Sequence, residues 1–180
     1  MVTTRTTVAE FEATCGDNRV ELIDGVIVPM TPASSEPTRV TATITILLGM
    51  HVRPRQLGSI FSAEAGFVLF PQRETVLAPD VAFVRAGREP QGEARWHFAH
   101  LAPDLVVEVI STSDRASDMA AKVAMYQEAG MPIVWVVDPR AMSVTVLALG
   151  QAPVTLTSSD TLDGGSMLPE LRIEVAEIFA

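Results

Sequence analysis

The chain has 180 residues, with 22 Asp and Glu against 13 Lys and Arg, a net charge of −9 and 48% apolar residues. That length suits one domain with a buried core, and the apolar share excludes intrinsic disorder, which needs low hydrophobicity joined to high net charge. A single cysteine, Cys15, excludes an intramolecular disulfide and a Cys-rich zinc site. No apolar run approaches the roughly 20 residues of a bilayer span, so no membrane is expected as a partner. The start, from Met1 to Thr7, lacks the apolar core of a secretory signal. The expectation is one soluble, cytoplasmic domain over residues 1–180. The acidic balance argues against a general nucleic-acid coat, which is normally basic.

Thr7 to Thr14 reads as a short helix, with Val8 and Phe11 three apart. Val20–Ile23 and Val26–Val28 flank Asp24-Gly25, the strongest short hairpin signal. Val40, Ile44, Leu47 and Leu48 recur at three and four, which predicts a helix from Ser35 to His51. Ser59–Phe70 and Thr75–Val84 read as strands separated by the polar turn Pro71-Gln72-Arg73-Glu74. Arg85 to Pro103 is a long irregular stretch that holds Trp96, His97 and His100. Loops of that length are more often functional or mobile than packed.

The clearest unit follows. Asp104 to Ile110 is an apolar strand without alternation, as expected when both faces are covered. Ser111-Thr112-Ser113 can cap a helix that runs to Glu128 or Ala129 and stops at Gly130. Ile133–Val137 is a second strand of the same buried kind, so the unit predicts a βαβ crossover between parallel neighbours. Val144–Leu149, Val154–Thr157 and Leu171–Val175 are further β-prone runs. The fold class is α/β with antiparallel pieces and helices packed on the sheet.

Glu108 is the most informative residue. Every neighbour in Leu105–Ile110 suggests burial, and a buried carboxylate shifts its pKa, finds a cation or binds a metal. It could also be a strand-end Glu that leans out to solvent or pairs with one basic residue. Asp80 repeats the pattern within Leu77–Val84, although Pro79-Asp80 is also ordinary turn chemistry. If the two strands are neighbours, the carboxylates could converge on one hard cation such as Mg²⁺. Lys122, the only lysine, sits on an otherwise apolar stretch of the helix after the Glu108 strand. It is either a surface partner of Asp118 or a cation aimed at the end of that strand. Glu21 opens the hairpin as an exposed Glu or as a third acid of a metal site.

In order, Glu21-Leu22-Ile23-Asp24-Gly25, Pro79-Asp80-Val81-Ala82-Phe83-Val84, Leu105-Val106-Val107-Glu108-Val109-Ile110-Ser111, Lys122, Tyr126 and Ile133-Val134-Trp135-Val136-Val137-Asp138-Pro139 resemble the Uma-two-type restriction endonuclease family, a branch of the PD-(D/E)XK nuclease superfamily. The resemblance covers nearly the whole chain from about Phe11. It implies a restriction-endonuclease-like core, a mixed central β-sheet flanked by helices, and a Mg²⁺-dependent phosphodiesterase site in which Mn²⁺ can substitute. Asp80 and Glu108 match the metal ligands, and Glu21 the early acid that often completes the site. The superfamily pattern carries a lysine two residues after the acid, where this chain has Ile110; Lys122 fits a lysine moved to the next helix. Many relatives also carry a His near the start of the second helix, where this chain reads Ser35-Glu36-Pro37-Thr38, and His51 does not obviously replace it.

Two function classes follow. The first is a metal-dependent nuclease acting on DNA. The second is a catalytically silent nuclease-fold module for protein or nucleic-acid interaction, assembling as a homodimer. The acidic charge favours the second, because phosphate binding normally recruits Lys and Arg. Arg39, Arg53 and Arg55, or Arg85, Arg88 and Arg95, could still form a local basic surface. His97 and His100 lack a third zinc ligand at suitable spacing and read as loop residues.

Overall fold

The computed structural model describes residues 5–16, 18–112 and 114–180. Met1 to Thr4, part of the stretch read for a secretory signal, and Ser113 of the expected helix cap lie outside the described residues. Helix α1 (Val8–Cys15) starts at Thr7, whose hydroxyl accepts from Glu10 N while the Glu10 carboxylate accepts from Thr7 N. That reciprocal box satisfies N–H groups that a helix start otherwise leaves open. Strands β1 (Val20–Ile23) and β2 (Val26–Pro29) pair antiparallel around Asp24 and Gly25, whose φ angles are 49° and 76°. Two successive positive φ values give the tight turn whose twist matches a hairpin. Helix α2 (Ser35–Arg55) runs past His51 and takes Pro54 into its last turn.

The two long runs expected as single strands are each divided. Ser59–Phe70 becomes β3 (Gly58–Ser62) and β4 (Phe67–Phe70), with Glu64 at φ 86° turning the chain between them. Thr75–Val84 becomes β5 (Thr75–Leu77) and β6 (Val81–Arg85), interrupted by Ala78-Pro79-Asp80. Pro79 has no N–H to give a ladder, so the chain leaves one sheet there and enters another.

The rest of the chain supplies β7 (Leu105–Val109), α3 (Ala116–Glu128), β8 (Ile133–Asp138), β9 (Ser143–Ala148) and β10 (Val154–Thr157). It ends with β11 (Thr161–Asp163), β12 (Arg172–Glu174) and α4 (Val175–Phe179). The central sheet is six-stranded and mixed, in the order β10-β9-β8-β7-β6-β3, with β7 and β8 parallel. A second, antiparallel sheet of four strands has the order β2-β1-β5-β4. The expected mixed central sheet flanked by helices is therefore present, and the second sheet adds to it.

Strand β7 is buried along its whole length. Leu105, Val107 and Val109 pack with residues of α2 and α4 on one face, while Val106 packs with Tyr126 of α3 and Leu77 of β5 on the other. Because side chains alternate along a strand, Glu108 shares the Val106 face, toward α3 and the second sheet. Helix α3 begins at Ala116, later than the Ser111-Thr112-Ser113 cap suggests, and Arg115 at its start makes no side-chain cap bond. Asp114 is the reason: its carboxylate takes the Ser111 N–H at 2.6 Å and holds a turn there instead.

Candidate active site

The strand pairings bring four distant pieces of chain together. Glu21 comes from β1, Asp80 from the Pro79 crossing, Glu108 from β7 and Lys122 from the second turn of α3. The Lys122 ammonium lies 3.0 Å from Glu21 Oε1 and 3.0 Å from Glu108 Oε1. Glu21 Oε1 also accepts from Ala78 N at 2.9 Å, which ties the hairpin to the crossing. Asp80 Oδ2 accepts from Val109 N at 2.8 Å, so its carboxylate is pinned to the residue that follows Glu108. The Tyr126 hydroxyl donates to Glu108 Oε1. Glu21 and Glu108 are only 6% and 3% exposed, and the Lys122 side chain 16%.

These carboxylates are not solvated surface groups. Burial pushes Glu108 up to about 7, against the Lys122 charge, with Asp80 and Glu21 adding to the rise. Burial alone would favour a neutral Lys122, but Glu108 and Glu21 outweigh it and hold the ammonium above its usual range. Asp80 is also raised, chiefly by burial, with the Val109 N–H working the other way. Tyr126 is raised by burial and by the adjacent Glu108 charge, so its hydroxyl remains a donor. Lys122 is thus the charged member, and Glu108 is the group that titrates near neutrality.

Three of the alternatives open in the sequence are settled by this geometry. Glu108 does not lean out to solvent but does pair with one basic residue, Lys122; Glu21 is not an exposed hairpin Glu, and Lys122 pairs with Glu21 and Glu108 rather than with Asp118. The Asp118 carboxylate instead accepts from the Ser117 hydroxyl at 3.1 Å. Tyr126 was not singled out as a site residue, although its position one turn after Lys122 puts it on the same helix face. Tyr126→Phe is expected to lower stability by about 1–2 kcal/mol, because Glu108 then loses one donor in a buried position. A thermal melt indistinguishable from the parent would show that the hydroxyl does not hold the carboxylate.

Asp104 is the other residue that sequence reasoning missed, because Pro103-Asp104 looks like turn chemistry. Its side chain is fully buried and accepts from Arg85 N and Nε, while Arg88 lies 2.6 Å from its second oxygen. Two arginines of the expected basic loop are therefore committed to an internal carboxylate. Arg39 is likewise bound to Glu36 at 2.7 Å and to the carbonyls of Phe179 and Ala180. The basic surfaces read from the sequence are reduced accordingly. His51 is buried, with Nε2 3.0 Å from the Pro169 carbonyl, and His97 pairs with Glu12 at 3.3 Å.

Among the described residues, no group of three or more His, Cys, Asp and Glu side chains is arranged to hold a metal ion. Asp80 and Glu108 nevertheless offer hard oxygen donors, each with one oxygen that accepts no hydrogen bond from the described residues. Hard divalent cations commonly bind through one or two carboxylates and fill their remaining positions with water and phosphate, and these two side chains offer donors of that chemistry. A cavity of about 270 Å³ lies against Val76, Leu77 and Ala78, with Arg19 in its wall; the cluster side chains do not line it.

A family model described as "Putative restriction endonuclease", Uma2, matches residues 8–176. The chain belongs to the Uma2 family. A crystal structure from Anabaena variabilis, described as a putative nuclease belonging to DUF820, shares the Uma2 chain's fold with a TM-score of 0.85. That likeness covers 96% of this chain and 97% of the other at 18% sequence identity. An uncharacterized protein of Synechocystis, sll1609, is 30% identical over 107 residues, which are 59% of this chain and 58% of that relative. The Uma2 chain thus matches just over half the length of this curated relative. No helix among the described residues is long and apolar enough to cross a membrane.

Proposed function

We propose that the chain is a metal-dependent endonuclease that hydrolyses phosphodiester bonds of DNA at a PD-(D/E)XK-type site. The observation that carries this reading is Glu108, buried between Lys122 and Tyr126, with Asp80 fixed to the next backbone amide. Asp80 and Glu108 would hold Mg²⁺, with Mn²⁺ as a substitute. Such an ion makes water a stronger nucleophile and neutralises charge that develops on the phosphate. Lys122 supplies a fixed positive charge beside the scissile phosphate and orients the attacking water. Glu21 holds Lys122 in place and accepts from Ala78 N, where the chain leaves β5 for the crossing.

The reading includes one domain over residues 1–180, a cytoplasmic location and a homodimer. The homodimer is supported by the outer edge of β2, where Val26, Ile27 and Val28 are exposed. An uncovered apolar edge strand is a ready surface for pairing with a second copy. The net charge of −9 favours the silent interaction module as the second reading.

Supercoiled plasmid decides between them. Nicking or linearisation is expected with Mg²⁺ or Mn²⁺, and none with a chelator or in Asp80→Ala. Intact plasmid with both ions, together with a melting temperature that neither ion raises, would overturn the enzyme reading.

A further inference from the structure

Among the described residues of α3, Tyr126 alone is buried, and a local device at the end of the helix sets its place. Met131 N donates to the Tyr126 carbonyl at 3.1 Å, and Gly130 N donates to the Gln127 carbonyl at 3.0 Å, with Gly130 at φ 74°. That pair of bonds is the Schellman motif, which glycine closes because it enters the left-handed region without a Cβ penalty. The Met131 side chain then joins the apolar cluster of Tyr126, together with Leu77 of β5, Val106 of β7 and Val134 of β8. Backbone and ring are both held, so the hydroxyl is held too, and it donates to Glu108 Oε1.

Each carboxylate of the site is loaded on one oxygen. Glu21 Oε1 takes Lys122 and Ala78 N, and Asp80 Oδ2 takes Val109 N. Glu108 Oε1 takes Lys122 and the Tyr126 hydroxyl. The pins differ in kind. Ala78 and Val109 donate from the backbone and cannot turn away, whereas Glu108 relies on two side chains. Lys122 is a flexible point charge with three equivalent donors, and Glu108 shares it with Glu21. The ammonium alone therefore does not fix which Glu108 oxygen it meets. The Tyr126 hydroxyl has one proton to give and a packed ring behind it, so it distinguishes Oε1 from Oε2.

We propose that Tyr126 is a positioning residue, whose hydroxyl holds Oε1 of Glu108 and so keeps Oε2 free as the oxygen that meets a divalent cation. The inference rests on the metal-dependent reading above, and it assigns part of the metal affinity to a residue that does not touch the ion. Groups that orient a ligand in this way are typically worth about 10–100-fold in affinity.

Mn²⁺ binding to the full chain, followed by the paramagnetic resonance of the free ion well below the melting temperature, tests this with no substrate present. Tyr126→Phe keeps the ring and removes the donor, and is expected to weaken Mn²⁺ binding about tenfold. Val134→Ala loosens the same apolar cluster without touching a donor, and is expected to melt earlier yet bind Mn²⁺ as the parent does. In plasmid cleavage, the Mn²⁺ concentration for half-maximal rate should rise about tenfold in Tyr126→Phe, while the rate at saturating Mn²⁺ stays within about threefold of the parent. A tyrosine that only packs would leave Tyr126→Phe with the parent's Mn²⁺ affinity, and that result overturns the proposal. Equal losses of affinity in Tyr126→Phe and Val134→Ala overturn it as well. If the parent binds Mn²⁺ and Tyr126→Phe binds it equally, the positioning role fails and the metal reading stands. A parent that binds no Mn²⁺ sinks both together. If Tyr126→Phe alone loses affinity while the parent leaves plasmid intact, the positioning role stands and the cleavage reading fails alone.

Discussion

Lys122→Ala is expected to lower stability by about 3–5 kcal/mol, the usual cost of removing one partner from a buried ion pair. For a chain of this size that corresponds to a fall in melting temperature of roughly 6–20 °C. The magnitude follows from what remains. Lys122 lies 3.0 Å from both Glu21 and Glu108, and its removal leaves two buried carboxylates facing each other without a cation. A divalent ion at the same place would replace the lost charge, so Mg²⁺ should raise the melting temperature of Lys122→Ala more than that of the parent. A variant that melts within about a degree of the parent would show that the carboxylates are neutralised by other means. DNA cleavage by the same variant should fall by about 10²–10³-fold, the range seen when one fixed electrostatic donor is removed.

Glu108→Gln is expected to abolish cleavage by at least about 10²-fold, yet to keep its stability where the parent loses it. The Glu108 carboxyl is raised from 4.5 to about 7 in the folded chain, so between those values the native state holds a proton that the unfolded state has released. Stability is therefore fully present below pH 4.5 and declines as the pH rises to about 7, by on the order of 3 kcal/mol. Gln cannot release that proton, and the decline should be absent from its melting curve in EDTA. Mg²⁺ competes with the same proton, so its stabilisation of the parent should be larger at pH 8 than at pH 5.5. A parent whose metal-free stability rises steadily from pH 5 to pH 8 would contradict the burial of Glu108 as the dominant influence.

Some of this arrangement was legible from residue order alone. Asp24-Gly25 specifies its turn through two positive φ values, and nothing distant is needed to enforce it. The β7–α3–β8 unit was equally clear, because continuous apolar strands around a helix have few other stable arrangements. Glu108 stood out for the same reason: a carboxylate is conspicuous only where everything around it is apolar. The division of Ser59–Phe70 and Thr75–Val84 was hidden, since both halves of each run are β-prone and only their partners tell them apart. β5 pairs with β1 and β4, whereas β6 pairs with β3 and β7. Asp104 was hidden for a related reason. A Pro-Asp pair at a strand start looks the same whether its carboxylate meets water or two arginines. Tyr126 had the right helix face but no chemical oddity to mark it until Glu108 was beside it.

Lys122 is the only lysine in the sequence, and it is wedged between two carboxylates. Acylating reagents attack the neutral amine, so this side chain can react only when the cluster opens and the ammonium loses its partners. The rate at which one acyl group appears on α3 therefore times the opening of the carboxylate cluster. Mass spectrometry can follow that clock with no substrate present, and any ligand that settles on the cluster would slow it or speed it according to whether it locks the lysine in or drives it out.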